Sequence, residues 1–75
     1  MNQYHDDRGW TYFVRGGLGE NQFKAFYRKP DKKPGMGEHA YRNTPWRETA
    51  NQAQEDLDKL AQVKGWEVIK GDESH

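Results

Sequence analysis

Residues 49–65, TANQAQEDLDKLAQVKG, decide the fold of this chain. Ala53, Leu57, Leu60 and Ala61 recur at helical spacing and fall on one face. Gln54, Glu55, Asp56, Asp58, Lys59 and Gln62 lie between them and suit water. Gly65 supplies the residue that a left-handed helix stop favours, and Lys64 puts a cation at the negative end of the helix dipole. Two starts fit the pattern. Thr49 with Gln52 makes a capping box and starts the helix at Ala50. Thr44 before Pro45 makes an N-cap with proline at the first helical position, which would carry the apolar stripe back to Trp46. Thr49 is the preferred cap, giving a helix over 50–64, and either start sets Trp46 beneath the helix entry. A one-faced helix must bury its stripe, and the aromatic segments ahead of it are the candidate partner.

Those segments read as strands. Residues 10–15, WTYFVR, are aromatic and β-branched and stop at Gly16-Gly17. Residues 22–28, QFKAFYR, are ended by Lys29-Pro30. The glycines between them permit the positive φ angles of a tight hairpin loop. Residues 38–43 make a weaker third strand, whose pairing register the pattern leaves open. After the helix, Trp66 and Val68 alternate with Glu67, which suits either a short returning strand or an apolar segment tucked against the core. The expected fold is α+β: a three-stranded antiparallel sheet, with a fourth short C-terminal strand as an option, and one helix across one face. Its expected core is Trp10, Tyr12, Val14, Phe23, Ala25, Tyr27, Trp46, Ala53, Leu57, Leu60, Ala61 and Trp66.

The 75 residues are expected to form a single domain, ordered over about 9–69, with flexible tails at 1–8 and 71–75. The chain has no cysteine, which excludes disulfides and thiolate metal sites. No apolar run approaches a membrane span and no signal-peptide core opens the sequence, so a cytoplasmic protein without membrane contact is expected. The charge sums to zero but is unevenly placed: residues 1–47 carry nine Lys or Arg against five Asp or Glu, and residues 48–75 carry three against seven. Such a split suits an anionic partner for the first part, or a chain whose strands are basic and whose helix is acidic.

Catalysis is not expected. The one serine is Ser74, in the expected tail, and His5, His39 and His75 are scattered. Asp6-Asp7 beside His5 is a poor scaffold for a metal at a terminus expected to be flexible, and the glycine-rich turn lacks the Lys-Ser/Thr and helix of a phosphate loop. No cofactor and no metal are expected. The constellation above background is the sheet face opposite the helix, which carries Phe13, Arg15, Lys24, Phe26 and Arg28, with Lys32 and Lys33 in the loop beyond. A one-sided antiparallel sheet normally has a polar outer face. Two aromatics among three cations suit DNA or RNA, with charge for phosphates and rings for bases. The same face also suits a protein partner or a homodimer, and Phe13 with Phe26 suits a cross-strand pair that stabilises the hairpin.

The order strand–strand–strand–helix, with Arg15-Gly16, Phe23-Lys24-Ala25-Phe26-Tyr27-Arg28, Pro30, and Thr49 opening a helix that contains Ala53, resembles two related DNA-binding architectures. These are the GCC-box-binding domain of plant AP2 factors and the arm-site-binding domain of tyrosine integrases. The resemblance implies a three-stranded sheet laid in the DNA major groove with the helix behind it, and places Arg15, Lys24 and Arg28 on groove-facing strands. Residues 43–49, NTPWRET, stand where that family has a different approach to its helix.

Overall fold

A computed structural model of the chain describes residues 2–17, 19, 21–33 and 36–69. The elements run β1 (Tyr4–His5), β2 (Thr11–Gly16), β3 (Phe23–Arg28), β4 (Glu38–Ala40), α1 (Ala50–Lys64) and β5 (Glu67–Val68). The sheet is antiparallel, in the order β4-β3-β2-β1-β5. Among the described residues the α+β class and the one helix are as expected, but the sheet has five strands rather than three or, with the C-terminal option, four. Tyr4 and His5, expected in a frayed leader, pair with Tyr12 and Thr11 on one side and with Val68 and Glu67 on the other. Two residues make too short a run for period-two patterning to register. The segment after the helix is thus a strand, and Ile69 N–H donates to Gln3 O beside it. The third strand ends at Ala40, not at residue 43. The expected tail at 71–75 lies outside the described residues.

The helix begins at the Thr49 cap, whose hydroxyl accepts from Gln52 N–H, and ends at Gly65 in the left-handed conformation, φ 78°. Both features follow the sequence signals. Leu57 is fully buried and forms the core with Tyr12 and Ala25. Ala53 and Ala61 are also buried, so small residues let the helix approach the sheet closely. Val14, Trp10, Tyr27, Tyr41, Tyr4 and Trp66 pack around this centre while staying partly exposed.

Three expected core positions need correction. Phe23 and Leu60 are only half-buried. Trp46 does not pack beneath the helix entry: it is 45% exposed and lies on the other side of the sheet. The reason is a short bridge. Arg47 pairs with Phe23 through two backbone hydrogen bonds of 2.7 Å, which continues the β3 edge past β4. Alternation then sends Arg47 to the helix side, where its guanidinium donates to both Asp56 oxygens, and sends Trp46 to the opposite face.

Two carboxylates hold the layers together. Asp58, expected on the wet face of the helix, accepts from Tyr4 Oη at 2.6 Å and from Gln54 Nε2 at 2.8 Å. Asp6 is buried in the turn between β1 and β2. It accepts from Tyr12 Oη at 2.8 Å, from the Arg8 guanidinium, and from the backbone N–H groups of Arg8 and Trp10. Burial raises the Asp6 pKa, but these donors outweigh it and the net shift is downward. Burial and the adjacent carboxylate push the Tyr12 phenol up to about 12.

Candidate functional site

On the outer face, Phe13 stands opposite Phe26, Arg15 opposite Lys24, and Arg28 opposite Thr11 on one side and Glu38 on the other. This brings five of the expected residues together. Their availability differs from expectation. Phe13 is 6% exposed despite facing away from the helix. Phe26 stacks beside it at 6.4 Å, and the guanidinium groups of Arg15 and Arg28 lie 5.7 and 5.6 Å from its ring centre. Glu38 organises that cover, with Oε1 2.6 Å from Arg15 Nη2 and Oε2 3.4 Å from Arg28 Nη1. Phe13 is therefore a small second core under charged side chains, as a cross-strand pair would be. Sequence reasoning missed Glu38 because the register of β4 could not be read.

The exposed part of this face is centred on Trp46. Its ring meets Phe26 edge-on at 6.2 Å, and Lys24 Nζ lies 5.3 Å from its centre. Gly17 lies against the ring: a Cβ there would come within 2.7 Å of Trp46 Cζ3. Close approach, rather than a positive φ, is what favours glycine at 17, and among the described residues of this turn positive φ falls on Asn21. Arg15, Gly16, Gly17, Gln22, Phe26 and Trp46 line a shallow groove of about 410 Å³. Lys32 and Lys33 are exposed in the β3–β4 connection.

A second concave region lies on the helix side of the sheet, past the carboxyl end of α1. Trp10 stacks on Tyr27 at 5.5 Å, and Tyr12 stacks on Trp66 at 3.6 Å. Tyr41 bridges the two stacks, edge-on to Tyr12, Tyr27 and Trp66. Together with Arg8, Arg42 and Lys64 these rings line a recess of about 450 Å³. The sequence assigned four of the five rings to the core and left Tyr41 unassigned. Alternation along the strands predicts which rings face the helix but not that the helix stops short of covering them.

Among the described residues, no three His, Asp or Glu side chains are grouped to hold a metal ion. Nor, among the described residues, is any helix long and apolar enough to cross a membrane. Compared with protein-family models, with curated proteins and with solved structures, the chain matches none of them.

Proposed function

We propose that this protein is a non-catalytic binding module that holds nucleic acid against the outer face of its sheet. The carrying observation is the exposed Trp46 ring with the Lys24 ammonium beside it and Phe26 and Arg15 along the same groove. A base can stack on the ring while the cations meet the flanking phosphates. The arrangement favours a single strand over insertion into a duplex groove, because Glu38 already engages the guanidinium forks of Arg15 and Arg28. The carboxylates of α1 do not oppose this, since the helix lies behind the sheet. The lack of cysteine fits a cytoplasmic setting.

The Glu38 clamp favours a second reading, in which Phe26, Trp46 and the groove meet a protein partner or a second copy of this chain. One titration separates the two. Binding of a mixed-sequence single-stranded oligonucleotide should weaken with salt, with a log–log slope of about −0.7 per phosphate contacted. Lys24→Ala should reduce that slope by about one contact, and Trp46→Ala should cost about 1–3 kcal/mol of affinity. Association that ignores salt, depends on protein concentration and is lost in Phe26→Ala supports the protein interface instead.

A further inference from the structure

We propose that the recess past the end of α1 is a second binding site, for a planar ring carrying a phosphate: a mononucleotide, free or as the phosphorylated end of a strand. This inference does not rest on the outer-face reading, since Trp46 and Lys24 lie on the other side of the sheet.

Three observations carry it. The recess, about 450 Å³, is the size of a small-ligand site. Its wall is aromatic, and Trp10, Tyr27, Tyr41 and Trp66 remain partly exposed in a chain whose buried apolar core is small. The rim is cationic. Arg8 is tied to Asp6, and Asp6 and Asp7 lie with Lys64 in the adjoining cleft, but neither Arg42 nor Lys64 forms an ion pair among the described residues and no carboxylate lines the recess itself. Like charges around a concave, low-dielectric wall raise the local potential and favour an anion there.

The chemistry narrows the class. A neutral aromatic ligand would leave the cations unused. Inorganic phosphate would leave the rings unused, and a metal ion would be repelled. A base with a phosphate uses both: the ring lies against the aromatic wall, and Arg42 and Lys64 reach the phosphate oxygens. Lys64 has an independent reason to be present, at the negative end of the helix dipole. Arg42 has none, so it is the diagnostic residue.

The chain has three tryptophans, and they report the two sites separately: Trp10 and Trp66 in the recess, Trp46 on the outer face. Their indole N–H signals in an ¹⁵N-labelled sample are followed while the intact protein is titrated with nucleoside monophosphates, nucleosides, inorganic phosphate and a short 5′-phosphorylated oligonucleotide. The expected result is saturable movement of Trp10 and Trp66 with the monophosphates while Trp46 stays still. The nucleoside and phosphate alone should each bind at least about tenfold more weakly, the loss expected from removing one charged or stacked contact. Arg42→Ala should weaken the monophosphate by about tenfold while leaving the free protein's indole signals in place. Tighter binding of the phosphorylated oligonucleotide at Trp10 and Trp66 identifies a strand end as the source, and tighter binding of the monophosphate identifies the free ligand. The proposal is overturned by signals that ignore every monophosphate, by movement confined to Trp46, or by binding that phosphate alone reproduces and Arg42→Ala leaves unchanged. A failure of the outer-face reading looks different: the oligonucleotide leaves Trp46 still whatever Trp10 and Trp66 do.

Discussion

At the scale of residues, the most constrained group is the Asp6 carboxylate. It is buried, so an unmatched charge there would be costly, and it is matched by one phenol, one guanidinium and two backbone N–H groups. Asp6 has a lowered pKa in the fold, so its contribution is complete above the ordinary carboxylate range and is lost as pH falls through the lowered value. Tyr12 has the opposite sign. Raised from 10.0 to about 12, it contributes fully below its ordinary value and loses that contribution as pH rises through about 12. Tyr12→Phe should lower stability at neutral pH by about 1.5–3 kcal/mol, the range for a hydrogen bond to a charged group. It should also remove the phenol's share of the alkaline loss and move the acid-unfolding midpoint upward. Urea unfolding across a pH series checks all three. Leu57 represents the other kind of residue, buried by shape alone. Leu57→Ala should cost about 2–5 kcal/mol, which calorimetry reads as a large fall in melting temperature. An unchanged midpoint would mean the helix presents a different face to the sheet.

At the scale of elements, what was legible depended on whether the signal was local. The α1 cap at Thr49, its stop at Gly65 and its Ala53/Leu57/Ala61 stripe all lie within one stretch, and all are found where the pattern puts them. The β2–β3 hairpin was equally legible, because alternation within each strand defines two faces. What could not be read was pairing between segments distant in the chain. Tyr4 meets Asp58 across 54 residues, and the Arg47–Phe23 bridge turns Trp46 outward; neither leaves a local trace. The cover of Phe13 was illegible for the same reason, since Glu38 in another strand organises the Arg15 and Arg28 groups over it; of the readings the sequence left open, its burial fits the cross-strand pair with Phe26. Two substitutions test the elements. Gly65→Ala should cost about 1–2 kcal/mol by forcing an L-residue to φ 78°, with open space around it and so no added clash. Gly17→Ala should instead displace the Trp46 ring, because the new methyl would sit 2.7 Å from it. The expected readout is a shift in the Trp46 indole signal and fluorescence with little change in helix content; an unmoved signal would remove Trp46 from this groove.

At the scale of the whole molecule, β1 holds a position out of proportion to its length. It is the strand between β2 and β5, so the sheet order places residues 4 and 5 between the main hairpin and the segment that follows the helix. It also delivers the Tyr4 hydroxyl to Asp58 on the helix, and it leads into the turn where Asp6 meets Tyr12. With β1 and Asp6 removed together, β5 has no neighbour, Trp66 loses the anchoring strand next to it, and the Tyr12 hydroxyl is left without its acceptor. Folded domains have about 5–15 kcal/mol in hand, and a chain of this size sits toward the lower end. Losing two hydrogen bonds to carboxylates and a strand's pairing is comparable to that whole margin. Deleting residues 1–6 should therefore leave the chain largely unfolded at room temperature, with collapsed amide dispersion and loss of the near-ultraviolet signal from the Tyr12–Trp66 stack. The control is the pair Tyr4→Phe and Tyr12→Phe in the full-length chain, which removes the same two phenol–carboxylate bonds but keeps the backbone pairing. If that double variant stays folded while the deletion does not, strand pairing is the larger contribution. If the deletion itself melts cooperatively within a few degrees of the intact chain, β1 is an accessory to the fold and β2, β3 and β4 with α1 are sufficient.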